Sequence, residues 1–251
     1  SLDRLRESCR PPRWSGDLIG DDKALTRMRL IENKTGLLKI WAMPETSIYR
    51  SRYVVSVDVG GRGDKADFSV ISVIDRKDSP DEKMEVVAQW RGHIDHDQLA
   101  WQAARLAQFY HHGCLVFESN TLETQRNEGD DASYILDLLA RQYSNLYCRK
   151  KGVPGFQTNR RTKGSLVHKL IALVRDGGYV EHDSDAIDEM SWFEMKPMGK
   201  FGAITGKHDD IVMSRAIGLQ VAAQLPRVKA MNKEEFVATG QLSLFKSRPV
   251  A

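Results

Sequence analysis

The sequence predicts an α/β domain built on a mixed sheet, and three observations carry that prediction. Residues 53–59 and 114–118 are short, very apolar runs of the length expected of buried strands. The first begins a series of three strand-like runs whose connections are too short for anything but antiparallel pairing. The second comes after a stretch with helical spacing, and a helix between two strands favours parallel pairing.

Residues 1–50 are mixed and charged and read as an arm or linker. Within it, Arg10-Pro11-Pro12-Arg13 is irregular, residues 21–32 suit a short helix, and residues 37–41 suit a strand that Pro44 ends. The core domain is expected over residues 51–225. Glycines bound the strand at 53–59, and Gly60-Gly61-Arg62-Gly63-Asp64 turns the chain. Residues 68–74 and 84–90 make the next two strands, with Pro80-Asp81 between them. Leu99, Ala103, Leu106, Ala107 and Tyr110 recur at helical spacing across residues 96–111, and Gly113 ends that helix before the strand at 114–118. A helix at 132–143, with Ile135, Leu138 and Leu139 on one face, leads to a short fifth strand at 146–148. Then come a helix at 165–175 closed by Gly177-Gly178, a small strand at Tyr179-Val180, a helix at 184–195 and a hairpin at 196–205. The last helix covers 209–224 and Pro226 ends it, leaving residues 226–251 as a loosely ordered tail. Three meander strands, then alternating helix and strand, is the order of a ribonuclease H-like fold, a mixed sheet of five or more strands flanked by helices.

The totals fit this reading. A chain of 251 residues, 41% hydrophobic and 28% charged, has the composition of a soluble globular protein with a sizeable core. A net charge of +3 permits a polyanionic partner without requiring one. Cys9, Cys114 and Cys148 are far apart and form no metal-binding spacing, which argues against a disulfide framework and for a reducing compartment. No apolar run has the length of a membrane span and no signal peptide opens the chain. A start at Ser1 rather than Met is what a piece of a longer protein would show.

Four acids stand out by position. Asp58 closes the first strand, Glu118 closes the fourth, and Asp209 and Asp210 open the last helix. Each alone is unremarkable: a strand-end Asp forms turns, a loop Glu is solvated, and acids at a helix start cap it and favour its positive end. Jointly they are informative, because the carboxyl ends of neighbouring strands are where open α/β sheets bind ligands. Carboxylates gathered there repel one another unless cations neutralise them, and an all-oxygen cluster suits two divalent ions, Mg²⁺ or Mn²⁺. Two such ions about 4 Å apart drive phosphodiester hydrolysis. At about 100° per residue, Asp209 shares the face of Val212, Met213 and Ala216 that should pack on the sheet, and Asp210 lies at its edge. Asp209 is thus slightly preferred as the ligand, and both are kept.

These residues resemble a known family. The runs Gly36-Leu37-Leu38-Lys39-Ile40-Trp41, Val54-Val55-Ser56-Val57-Asp58-Val59-Gly60-Gly61, Asp67-Phe68-Ser69-Val70, Val116-Phe117-Glu118-Ser119-Asn120 and His208-Asp209-Asp210-Ile211-Val212 resemble, in order, motifs of the nuclease domain of phage terminase large subunits. The resemblance covers roughly residues 34–224. It implies a metal-dependent endonuclease that cuts concatemeric double-stranded viral DNA during genome packaging in the host-cell cytoplasm. Its implied partners are DNA, a packaging ATPase domain, the portal and the small terminase subunit, with no membrane involved. The resemblance puts Asp58, Glu118 and one of Asp209 and Asp210 at the family's three acidic positions. Such subunits also carry an ATPase with a P-loop, and this sequence has none. Residues 202–208 mimic one but are a residue short and end on His208 where Ser or Thr should bind Mg²⁺.

For DNA, the candidates are Lys150, Lys151, Arg160, Arg161 and Lys163 in a basic loop, with Arg62 and Lys65 in the glycine turn. Such residues would hold phosphates and carry no sequence specificity. Lys163 could equally orient a water or pair with an acid. His208 reads as a hydrogen-bonding residue at the helix start, and His93, His96, His111 and His112 as surface residues. Trp41, Trp90, Trp101 and Trp192 read as core. The alternatives are another ribonuclease H-like nuclease, of Holliday-junction resolvase or integrase type, and a non-catalytic DNA-binding or assembly module. A sugar-kinase or actin-like ATPase shares the opening strand pattern but needs two duplicated halves.

Overall fold

A computed structural model describes residues 1–21, 25–47, 49–61, 67–119 and 133–228. The strands are β1 (Trp14–Ile19), β2 (Arg29–Glu32), β3 (Leu38–Ile40), β4 (Tyr53–Asp58), β5 (Ser69–Asp75), β6 (Met84–Gly92), β7 (Cys114–Phe117), β8 (Cys148–Lys150), β9 (Val153–Pro154), β10 (Tyr179–Val180), β11 (Phe193–Lys196) and β12 (Lys200–Ala203). The helices are α1 (Leu2–Arg6), α2 (His96–Phe109), α3 (Ser133–Gln142), α4 (Arg160–Asp176), α5 (Ser184–Ser191) and α6 (Asp210–Gln224).

One mixed sheet of eight strands organises the molecule, in the order β2-β1-β3-β6-β5-β4-β7, with β10 pairing with β6. The meander β4-β5-β6 is antiparallel. β7 returns beside β4 in parallel, pairing Val54 with Cys114 through Val57 with Phe117. The intervening α2 makes that crossover possible, as its spacing predicts. Central β4 and β5 are buried at every residue, so they read as continuous apolar runs rather than alternating ones.

The pleat still sorts them into two cores. Val55, Val57, Ile71, Val73, Leu115 and Phe117 face α2 and α3. Val54, Ile74, Val86, Cys114 and Val116 face α4 and α6 on the other side. α6 lies so close to the sheet that a Cβ at Gly218 would strike Ser56 and Ile74. The Ser56 hydroxyl donates to the Ser214 carbonyl at 2.9 Å, and the Ser72 and Ser214 hydroxyls lie 2.6 Å apart.

Several local expectations need correction. The strand expected at 37–41 within the arm is β3, and it pairs with β6; residues 14–32 add two unexpected strands, β1 pairing with both β3 and β2. Arg29–Glu32 is strand β2 rather than part of a helix, because its backbone completes the edge of β1. The fifth strand at 146–148 contracts to a parallel bridge between Leu115 and Leu146, and β8 pairs with β9 in a separate small hairpin. The helix at 184–195 stops at Ser191, where β11 begins its hairpin with β12. Trp41, Trp90 and Trp101 are core residues as expected. Trp192 is half-buried beneath the Lys207 ammonium, 4.3 Å from the ring centroid. Among the described residues no helix is long and apolar enough to cross a membrane.

Candidate metal centre and nuclease site

β4 delivers Asp58 as its last residue, and register delivers Glu118 beside it. Because Val57 pairs with Phe117 in parallel, the next residue of β7 leaves the sheet at the same edge, and the Glu118 amide still donates to the Val57 carbonyl at 2.9 Å. Asp209 is the N-cap of α6 and Asp210 its first residue, at the end of the helix where backbone N–H groups favour negative charge. The three elements bring Asp58, Glu118, Asp209 and Asp210 into one pocket of about 360 Å³.

The charge in this pocket is poorly balanced. Among the described residues, Asp58, Asp67, Glu118, Asp209 and Asp210 line it against a single lysine, Lys163. Asp58 is 9% exposed. Burial pushes its carboxyl well above the usual carboxylate range, and the charge and hydrogen bond of Glu118 raise it further, with smaller contributions from the charges of Asp210 and Asp209. Asp210, 5% exposed, is pushed up to about 6, chiefly by burial, against the opposing hydrogen bond from the Phe68 amide. That amide donates to Asp210 Oδ2 at 2.9 Å.

Other residues hold the acids in place. Thr158 donates its hydroxyl to Glu118 Oε1. Lys163 Nζ lies 3.3 Å from Asp209 Oδ2, so it pairs with an acid. His208 Nδ1 is 3.1 Å from Asp67 Oδ1 and 3.8 Å from Asp210 Oδ2. Asp67, His208 and Asp210 each offer a ligand atom, all within 4.8 Å of one another. The Glu189 carboxylate accepts from the Ile211 amide at 2.8 Å and is pushed up to about 7, mainly by burial.

Asp209 and Asp210 both line the pocket, and helical periodicity cannot separate them. α6 is buried on essentially every face, with Ser214 and Arg215 as fully enclosed as Ile211 and Ile217. A helix with no solvent face has no edge on which to put Asp210.

The basic candidates are spread out. Lys150 and Lys151 are exposed on the β8–β9 hairpin, whose continuation at Phe156 bridges to Glu118. Arg160 and Arg161 open α4, and their side chains lie outside the described part of the structure, as do Arg62 and Lys65 altogether. Of the histidines expected at the surface, His96 is buried: its Nε2 lies 3.1 Å from the Gly60 carbonyl, bracing the turn beside the pocket. His93 stacks on Phe68, their ring centroids 4.3 Å apart.

Asp67 and Thr158 are pocket residues that the four-acid pattern leaves out. Asp67 had a signal: β4 and β5 pair antiparallel with Asp58 opposite Val70, so a residue just before β5 must return beside Asp58. Thr158 had none, since it sits at the end of an irregular segment.

No protein-family model matches this sequence, and no curated protein does. The fold has counterparts among solved structures. It is similar to the large terminase nuclease from thermophilic phage G20c with bound magnesium, at a TM-score of 0.57 and 18% identity, covering 89% of this chain and 97% of that one. The same nuclease with bound zinc gives a TM-score of 0.52 at 17% identity, covering 87% and 97%. The Thermus phage P74-26 large terminase nuclease domain gives 0.55 at 18% identity, covering 92% and 100%. The chain therefore has the fold of large terminase nuclease domains, a ribonuclease H-like mixed sheet flanked by helices.

Proposed function

We propose that this protein is a metal-dependent endonuclease that cuts concatemeric double-stranded viral DNA during genome packaging. The observation that carries the reading is the convergence of Asp58, Glu118, Asp209 and Asp210 in one pocket. The donor set is hard oxygen, which fits Mg²⁺ or Mn²⁺ rather than a soft metal. Asp58 and Asp210 are buried beside further carboxylates, a crowding of like charges that a bound cation would relieve.

In this reading Asp58, Glu118 and the Asp209/Asp210 pair hold two divalent ions. Those ions would supply charge stabilisation at the scissile phosphate and lower the pKa of the attacking water. The protein's own groups do the positioning. Thr158 fixes the rotamer of Glu118, the Phe68 amide and His208 fix Asp210, and Lys163 restrains Asp209. Lys150, Lys151, Arg160, Arg161, Arg62 and Lys65 would hold phosphates along the duplex. Assembly with a packaging ATPase, portal and small terminase subunit in the host cytoplasm belongs to the same proposal.

The test is cleavage of supercoiled plasmid with Mn²⁺, Mg²⁺ or EDTA, comparing the protein with Asp58→Ala. Metal-dependent nicking that disappears in the variant is expected. Cutting that persists in Asp58→Ala or in EDTA would sink the assignment. A strong preference for branched junctions over linear duplex would redirect it to a resolvase.

A further inference from the structure

The described chain ends in a strap. The Arg76 guanidinium donates to the Leu225 carbonyl, Arg227 donates to the carbonyls of Arg76 at 2.9 Å and Asp78 at 3.0 Å, and the Arg50 amide donates to the Val228 carbonyl at 2.8 Å. This strap lies at the start of β4 and the end of β5, where Tyr53 pairs with Asp75. The acidic pocket is at the other end of the same strands, where Asp58 pairs with Val70. Val228, the last described residue, therefore lies at the pole opposite the pocket.

The chain beyond Val228 includes Gln241-Leu242-Ser243-Leu244-Phe245, which lies outside the described residues. Its composition is distinctive. It is an uncharged pentad between Lys233-Glu234-Glu235 on one side and Lys246 and Arg248 on the other. Its large apolar side chains are Leu242, Leu244 and Phe245, set among one amide and one small hydroxyl. A segment this short cannot form a core of its own. It has the form of a linear recognition peptide, with apolar anchors for specificity and a glutamine amide for orientation. The complementary surface is an apolar cleft with two chambers, one for Leu242 and one for the Leu244-Phe245 pair, and a polar notch for the amide of Gln241. That is the cleft a ring-shaped bacterial replication clamp presents to peptides of the form Gln-Leu-Ser/Asp-Leu-Phe.

We propose that residues 241–245 dock this protein on a DNA-encircling replication clamp. The twelve residues between Val228 and Gln241 span at most about 45 Å when extended, enough to carry the pentad clear of the strap. A ring threaded on duplex and a pocket at the far pole would engage one DNA molecule together, raising the effective DNA concentration at the pocket. The apolar groove of about 590 Å³ between α4 and the β11–β12 hairpin, flanked by exposed Ile171 and Met195, is the competing home for the pentad.

The experiment uses the full chain and a purified bacterial replication clamp, with binding measured by calorimetry. Saturable binding is expected, displaced by a synthetic peptide of residues 240–246. A Leu244→Ala, Phe245→Ala double variant should weaken it at least about tenfold, as loss of two anchors predicts. The variant should keep the melting temperature and plasmid nicking of the parent. Asp58→Ala should bind the clamp undiminished, so a failed nuclease assignment and a failed docking assignment give different results. No binding by the parent chain, as expected if the pentad fills its own groove, would overturn the proposal. So would binding that the double variant retains.

Discussion

Two sets of acids lie along α6, one under its middle and one at its start, and they are built on opposite principles. Under the middle of the helix, Arg215 is fully enclosed and donates to Glu181, also fully enclosed, at 2.9 Å. Its remaining donors reach Ser72 and the Gln89 amide oxygen, and Gln89 in turn donates to Asp183. Lys39 adds a cation 3.6 Å from Asp183. Every buried charge there has a partner within the protein. At the helix start, five carboxylates meet one lysine among the described residues. Burial alone thus does not mark a functional acid; what marks it is burial without compensation, because that free energy deficit is closed only by something that binds.

The contrast can be broken most sharply at Glu181. Glu181→Ala strands Arg215 as an unpaired buried charge and should cost about 3–5 kcal/mol in denaturant unfolding. Asp58→Ala, which removes a repelling charge, should leave the metal-free fold as stable or more so. If both variants lose stability alike, the distinction between the two sets fails.

Cation binding comes next in size. Mn²⁺ at about a hundred times its dissociation constant should stabilise the protein by about 2.7 kcal/mol, read as a rise in melting temperature. Asp58→Ala should lose most of that rise while Glu181→Gln keeps it. A melting temperature indifferent to Mn²⁺ in the parent chain would remove the reason for calling the pocket a metal centre.

A smaller effect is the pH profile of the metal-free protein. Asp210 and Glu189 are pushed up to about 6 and about 7, so the folded state binds their protons more tightly than the unfolded state does. Stability from these groups is present at low pH and is lost as pH rises through those values. Glu85 has the reverse sign, held down to about 2 chiefly by its hydrogen bond with His182, but it acts only below its unfolded value of 4.5. Between about pH 5 and 7 the melting temperature should therefore fall, and saturating Mn²⁺ should flatten that fall. A rising profile would mean that the pocket is compensated after all.

Thr158 gives the finest cut. Thr158→Val removes the hydrogen bond to Glu118 and keeps the shape, and nicking should drop by roughly tenfold, the value of about one charge-assisted hydrogen bond. Thr158→Ser should restore it. Equal loss in both variants would point to packing rather than to the hydroxyl.

How much of this was readable from residues alone depended on range. β4, β7 and α6 are written in strongly apolar runs, and the acids that end or begin them come with the runs. The strand at 37–41 is legible and appears as β3, but β1 and β2 are not, because their pairing partners rather than their own sequences make them strands: Arg29–Glu32 is largely exposed and has no buried residue to signal a core-facing side. His96 reads as a surface residue at a helix start until the Gly60 carbonyl is seen above it. The choice between Asp209 and Asp210 was beyond periodicity because α6 shows no exposed face to break the symmetry.

That enclosure has a further consequence. Asp58 stands on a strand buried along its whole length, and Asp210 on a helix whose first turn is pinned by Glu189 and Phe68. Neither can shift by about an ångström without disturbing a close-packed core. If the proposed cutting is its function, its groups stand ready-assembled, and such a cutter would be governed from outside, by the supply of cations and by whatever decides when a duplex reaches the pocket.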